Sequence, residues 1–217
     1  MCIRDRYYME ENKKVKLTTK IIILLSVVIA LISSYILIFV ELPNKPLSGQ
    51  GGALSEDVEI GGEFVLTDQN GNKFSSEQIK GHLSLIYFGF TYCPDICPTT
   101  LNKLSNVITT LEKYNIDILP IFITIDPDRD TPALLKEYLS HFHPKFIGLT
   151  GSAADLKYVA DLYKVFYTRS QTSENLNNYM IDHSSFVYLM DKRGKYMKHF
   201  YMNSSEQEIV EYIRIHK

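Results

Sequence analysis

The chain has 217 residues, of which 45% are hydrophobic, and a formal net charge of −2 at pH 7. This length supports one globular domain of about 150 residues plus an appendage, and the near-neutral charge gives no case for nucleic-acid binding. Three cysteines exclude a small scaffold held together by disulfides.

The N-terminal appendage has the character of a membrane anchor. Residues 21–40 contain no charged side chain, and as a helix they would span about 30 Å, enough to cross a bilayer core. A cleavable signal peptide has a shorter apolar region and a small-residue cleavage site, whereas Glu41 and Pro43 follow this run. The run therefore predicts one uncleaved transmembrane helix. A buried core helix is the alternative, which an all-round apolar run disfavours.

Positive charge sets the expected orientation of this anchor. The apolar run is preceded by Arg4, Arg6, Lys13, Lys14, Lys16 and Lys20. Residues 1–20 are therefore expected to stay in the cytoplasm, and the chain after residue 40 to be exported. Residues 41–57, with two prolines and three glycines, are predicted to be a flexible linker, or alternatively an ordered loop packed on the domain. Residues 58–217 form the predicted globular domain.

Strands and helices alternate along this domain. Predicted strands cover Glu63–Thr67, His82–Phe90, Asp117–Ile125, Phe146–Leu149, Ser184–Met190 and Lys195–Tyr201. Predicted helices cover Ser75–Lys80, Thr99–Tyr114, Thr131–His141, Ser152–Phe166 and Ser204–Ile215. This alternation, with strands rich in β-branched residues, indicates an α/β fold with parallel strands at the centre of the sheet.

Two cysteines lie where the first buried strand leads into a helix. Cys93 and Cys97 follow the predicted strand, and Pro98 suits the first turn of the helix because it has no N–H to donate. The carboxyl end of a central strand is where open α/β sheets bind ligands. The positive end of the helix dipole favours the thiolate, the form that binds metals and attacks disulfides.

Three ordered motifs stand out in this domain. They are Cys93-Pro94-Asp95-Ile96-Cys97-Pro98-Thr99-Thr100, Asp126-Pro127-Asp128-Arg129-Asp130-Thr131-Pro132, and Tyr179-Met180-Ile181-Asp182-His183-Ser184 with Tyr188-Leu189-Met190-Asp191. Together they resemble the motifs of the SCO/SenC family of copper chaperones. The resemblance covers roughly residues 57–217. It implies a thioredoxin-like fold with a central mixed sheet flanked by helices, anchored in a membrane and serving cytochrome c oxidase assembly.

The resemblance also implies the site and its partners. Cys93, Cys97 and His183 would bind one copper ion, as Cu(I) or Cu(II), since soft thiolates suit Cu(I) and imidazole suits both states. The expected client is the CuA centre of cytochrome c oxidase subunit II, with another periplasmic copper donor as a further partner. The expected location is a bacterial inner membrane, with one span and the domain in the periplasm. A mitochondrial inner membrane also satisfies the topology.

Several readings of the cysteine pair stay open. Cys93 and Cys97 could form a structural disulfide, a redox-active dithiol, or part of a zinc site, although structural zinc usually has four protein ligands. As a dithiol, the protein would be a thiol–disulfide oxidoreductase that keeps the client cysteines reduced; otherwise it is not expected to be an enzyme. A redox or copper sensor is a further alternative. His183 separates these readings, because dithiol exchange does not need it.

A charged loop follows the second buried strand. Asp126, Asp128, Arg129 and Asp130 are expected to form a solvated loop with a capping carboxylate and an internal ion pair. The functional alternative is that this loop orients the copper-binding loop or docks a partner.

Overall fold

The computed structural model describes residues 24–35, 59–170 and 179–217. The chain divides into two compact units, Met1–Glu56 and Asp57–Lys217. These are treated separately below.

In the first unit, residues 24–35 form a helix, α1, with exposed side chains. The flanking parts of the predicted span, 21–23 and 36–40, and the predicted linker 41–57 lie outside the described residues. Among the residues that are described, no helix combines the length and the apolar character that a membrane crossing needs.

The second unit is built from nine strands and four helices in the described range, with a short 3₁₀ helix at Ser76–Ile79. The strands are β1 (Val65–Asp68), β2 (Lys73–Ser75), β3 (Leu83–Gly89), β4 (Ile118–Thr124), β5 (Ile147–Thr150), β6 (Tyr167–Ser170), β7 (Met180–His183), β8 (Val187–Met190) and β9 (Tyr196–Phe200). The helices are α2 (Ile96–Lys113), α3 (Pro132–Leu139), α4 (Ala153–Leu162) and α5 (Glu206–His216).

Seven strands form one mixed sheet in the order β2-β1-β5-β4-β3-β8-β9. β3, β4 and β5 run parallel in its centre, whereas β1 and β8 pair antiparallel with β5 and β3. The helices α2 and α3 connect the parallel strands, as such connections require. The predicted α/β fold, with a mixed sheet flanked by helices in a thioredoxin-like order, is confirmed.

The core lies on both faces of strand β3, every residue of which is buried. Successive side chains of a strand point to opposite faces. Tyr87 faces Phe122, at 6.1 Å between ring centroids, and Cys97 of α2, whereas Phe88 packs at 5.4 Å against Tyr163 at the end of α4. Burial on both faces explains why this strand is an unbroken apolar run.

The structure corrects several predicted boundaries. Helix α2 begins at Ile96 rather than Thr99, because Pro98 fits inside the first turn and not only at its start. The Asn70-Gly71 turn, which predicts a hairpin after the first strand, does connect β1 to β2, whereas β6 and β7 are not predicted. β6 and β7 pair with each other in a separate two-stranded sheet, and Ile181 is their only buried residue, so the sequence carries little of the alternating pattern that a buried face imposes.

The position of His183 also differs from the prediction. It was expected just before a strand Ser184–Met190, but it is the last residue of β7, and β8 begins only at Val187. The histidine is therefore carried by a separate hairpin rather than by the central sheet.

Candidate metal centre

The two cysteines lie between β3 and α2, as the sequence predicts. β3 ends at Gly89 and α2 begins at Ile96, so Cys97 falls in the first helical turn, where it is fully buried. Cys93 lies half-buried in the preceding loop, and both are free thiols. The N-cap residue Asp95 makes no side-chain cap bond. Instead the backbone N–H of Cys97 donates to the Cys93 Sγ at 3.4 Å, so a sulfur takes the capping position.

His183 approaches the cysteines from a distant part of the sequence. Its Nε2 lies 3.8 Å from the Cys97 Sγ, and its Nδ1 lies 3.1 Å from the carbonyl oxygen of Ser184. Because a carbonyl oxygen only accepts, Nδ1 donates to Ser184, and this bond turns Nε2 toward the sulfurs. Metal-binding histidines are oriented in the same way, by a hydrogen bond from the other ring nitrogen.

The pKa values of the two thiols are shifted in opposite directions. A hydrogen bond from the Cys97 thiol, supported by His183 and the backbone N–H of Cys97 and Asp95, lowers the pKa of Cys93 far below its ordinary value, although burial opposes this. The Cys93 sulfur, together with burial, raises the pKa of Cys97. These shifts favour the predicted thiolate at Cys93 and disfavour it at Cys97, because two adjacent sulfurs cannot both hold a negative charge at low cost.

Aromatic side chains enclose the inner side of this site. The Tyr87 hydroxyl donates to the Cys97 Sγ at 3.5 Å. The rings of Tyr87 and Phe90 lie edge-on to His183, with centroid distances of 6.4 and 6.0 Å. The outer side opens into a cavity of about 300 Å³ that Cys93 and His183 line. A larger cleft of about 790 Å³ contains neither side chain, so the chemistry belongs to the smaller cavity.

Gly89 is a site residue that sequence reasoning missed. A Cβ at this position would lie 2.8 Å from the Cys97 Sγ and 2.9 Å from the ring of Phe122. The absence of a side chain therefore lets α2 bring its sulfur against the end of β3. The available signal was a glycine that ends an otherwise apolar strand.

The geometry suits a soft metal ion but is not a closed coordination site. A sulfur and a nitrogen bound to one ion in a trigonal arrangement, at metal-bond lengths of about 2.3 and 2.0 Å, lie about 3.7 Å apart. The Cys97 Sγ and the His183 Nε2 are 3.8 Å apart. In the described part of the chain, no group of three or more His, Cys, Asp or Glu side chains is already convergent enough to hold a metal ion. The ligand role of Cys93, Cys97 and His183 thus stays a prediction.

The fold and the site together define a thioredoxin-like domain with a thiol–imidazole centre. The chain belongs to the SCO1/SenC family, whose model matches residues 52–216. The resemblance found in the motifs is thereby confirmed. A SCO2-like protein of Rickettsia felis is 57% identical over 195 residues, which cover 90% of this chain and 95% of that relative.

Solved structures agree with this assignment. The crystal structure of yeast Sco1 with copper bound is 44% identical and superposes with a TM-score of 0.69, covering 73% of this chain and 88% of that one. BsSco, described with a disulfide switch and as a member of the Sco family of cytochrome c oxidase assembly proteins, is 25% identical, with a TM-score of 0.58 and coverages of 72% and 92%.

The acidity of Cys93 can be tested by alkylation. An ordinary thiol with a pKa of about 8.5 loses most of its thiolate at pH 6. Because the pKa of Cys93 is lowered, its thiolate persists as the pH falls, and its labelling by iodoacetamide should stay nearly constant from pH 8 to pH 6 while Cys97 remains unlabelled. Peptide mapping by mass spectrometry separates both from Cys2. A Cys93 rate that falls about tenfold per pH unit over this range would contradict the assignment.

Gly89→Ala tests the close approach of Cys97 to the sheet. The added methyl group should lower the free energy of unfolding by about 1–3 kcal/mol and move the Cys97 thiol away from Cys93, so that labelling of Cys93 at pH 6 slows. Urea unfolding and alkylation measure the two effects. Gly148→Ala is the matched control, because its Cβ would meet Leu139 instead. It should lose stability without slowing the labelling, and equal slowing in both variants would count against a special role for Gly89.

Proposed function

We propose that this protein is a membrane-anchored copper chaperone. It binds one copper ion through Cys93, Cys97 and His183 and delivers it to the CuA centre of cytochrome c oxidase subunit II. The observation that most supports this function is the imidazole Nε2 placed 3.8 Å from the Cys97 sulfur, in a chain of the SCO1/SenC family.

The donor set favours copper over competing ions. Cu(I) prefers soft thiolate sulfur and accepts three ligands, and imidazole also suits Cu(II). Deprotonated thiols are needed for binding, and the lowered pKa of Cys93 supplies one before the metal arrives. The metal would displace the second proton, from Cys97. Copper bound to yeast Sco1, which is 44% identical to this chain, supports the same cargo.

The description of BsSco as a member of a family of cytochrome c oxidase assembly proteins supports the proposed client. Anchoring the donor in the membrane of the oxidase raises the effective concentration of one for the other. The proposed anchor is the apolar run 21–40, and the proposed location is a bacterial inner membrane with the domain in the periplasm. The 90% coverage of this chain by the Rickettsia felis match extends into that run.

A thiol–disulfide oxidoreductase is the second candidate. The observation that favours it is the unequal pair of thiols, since Cys93 is half-buried with a lowered pKa and Cys97 is fully buried with a raised one. This is the division between an attacking and a resolving thiol that disulfide exchange uses. Both activities can coexist on one domain, and His183 distinguishes them.

Copper loading of the full chain tests the proposal. The reduced protein, titrated anaerobically with Cu(I) against a competing chelator, should bind one equivalent and then transfer it to metal-free subunit II. Cys93→Ala and Cys97→Ala should abolish high-affinity uptake. His183→Ala should weaken it at least about tenfold, which corresponds to about 1.4 kcal/mol, because one of three ligands is lost.

The control for His183→Ala is His82→Ala, whose ring lies exposed and 3.9 Å from Asp117 and should not affect copper. If Cys93→Ala and Cys97→Ala take up copper as tightly as the unchanged protein, the proposed chaperone function is wrong. If His183→Ala weakens neither copper binding nor oxidase assembly but the protein still reduces oxidised subunit II, the oxidoreductase is the correct function.

A further inference from the structure

The charged loop after β4 is solvated only in part, because Asp128 is exposed as the sequence predicts, whereas two other carboxylates of the loop are not. Asp126 and Asp130 are both fully buried. The expected internal ion pair is confirmed, with the Arg129 Nε 2.5 Å from an Asp126 oxygen. Burying carboxylates is costly unless each one is hydrogen-bonded. The hydrogen-bond partners of Asp126 and Asp130 therefore show which segments this loop holds together.

One set of partners belongs to the cysteine loop. Asp130 accepts from the backbone N–H of Thr91 at 3.0 Å and from the Thr91 hydroxyl at 2.5 Å. The Thr124 hydroxyl, at the end of β4, donates to the same carboxylate at 2.6 Å. Thr91 comes just before Cys93, and the side chain of the intervening Tyr92 lies over the Arg129 guanidinium, 4.6 Å from the ring centroid. The loop thereby ties the cysteine segment to the central sheet.

The other set of partners belongs to the strand that carries His183. Tyr179 adjoins the start of β7, and its carbonyl oxygen accepts from Arg129 Nη1 at 3.1 Å. The same guanidinium lies 3.8 Å from the centroid of the Tyr179 ring, and the Tyr179 hydroxyl donates to Asp126. On the neighbouring strand β6, Arg169 pairs with Asp128. Both strands of the hairpin are therefore held by this one loop.

This attachment matters because the β6–β7 hairpin has no backbone ladder to the seven-stranded sheet within the described residues. The sheet holds the chain from Val187 onward, but in the part of the chain that the structure describes no backbone bond of the sheet holds the strand that ends at His183. Side-chain contacts hold this strand, with Ile181 buried in the core and Tyr179 against Arg129. The Arg129 guanidinium lies over the rings of both Tyr92 and Tyr179 and so contacts the cysteine and histidine segments at once.

We propose that the loop 126–130 is a bracket that sets the distance between the cysteine loop and the histidine strand, with Arg129 and Asp130 as positioning residues for metal binding. The inference rests on the proposed copper function. A site whose ligands come from separate segments binds tightly only if those segments are held in place before the metal arrives. Neither residue is proposed to touch the metal.

The first test is the copper affinity of bracket variants in the full chain. Arg129→Lys keeps the charge but loses the planar fork and the stacking, and Thr91→Val keeps the shape but loses the hydroxyl bond to Asp130. Each should weaken Cu(I) binding by about tenfold, the usual effect of losing a residue that orients a ligand. Arg193→Lys is the matched control. Arg193 pairs with Asp191 at the β8–β9 turn, so its change should leave the affinity within about twofold.

The second test separates positioning from general stability and needs no metal. In the copper-free protein, amide hydrogen exchange should speed up in both 91–97 and 179–183 in Arg129→Lys, and in neither segment in Arg193→Lys. Gly148→Ala supplies a variant destabilised elsewhere. If Arg129→Lys changes exchange in neither segment or in only one, or if affinity falls equally in Gly148→Ala, the bracket is overturned.

The two proposals fail in different ways. If the unchanged protein takes up no copper while Arg129→Lys still speeds exchange in both segments, the bracket holds and the copper function falls. If copper binds through Cys93 and His183 but the affinity of Arg129→Lys and Thr91→Val is unchanged, the bracket falls and the copper function holds.

Discussion

The approach of the His183 imidazole to the Cys97 sulfur is the constraint on which the structure of the site depends. The two residues are separated by 86 positions in sequence and by 3.8 Å in space. The antiparallel register of β3 and β8, which pairs Tyr87 with Val187, makes this possible. It places the carboxyl end of β3 beside the start of β8. The cysteines that follow β3 therefore lie close to the histidine that precedes β8.

At this end of the sheet, local interactions give the two sulfurs different acidity and different exposure. Cys93 replaces a capping side chain at the start of α2 and receives donors from both the thiol and the backbone N–H of Cys97. Cys97 lies on the buried face of α2, where its sulfur contacts Tyr87 and occupies the space that a side chain at Gly89 would fill. A half-buried thiolate beside a buried thiol can begin either metal capture or disulfide exchange, which explains why copper delivery and thiol chemistry compete as functions for the same pair.

The central fold was predictable because its signals are local. β3 and β4 are continuous apolar runs, and the two cysteines and Pro98 mark the turn into α2. The hairpin of β6 and β7 was not predictable from pattern, since Ile181 is the only buried residue among its eight. The burial of Asp126 and Asp130 was also missed, because their partners Thr91 and Tyr179 are remote in sequence.

The ligands of the bound copper provide the most direct measurement. X-ray absorption spectroscopy of the full chain carrying one equivalent of Cu(I) should show two sulfur neighbours and one imidazole nitrogen, and the nitrogen should disappear in His183→Ala. A spectrum with sulfur neighbours alone, or one that is the same in His183→Ala, would contradict the central claim that His183 is the third copper ligand beside Cys93 and Cys97.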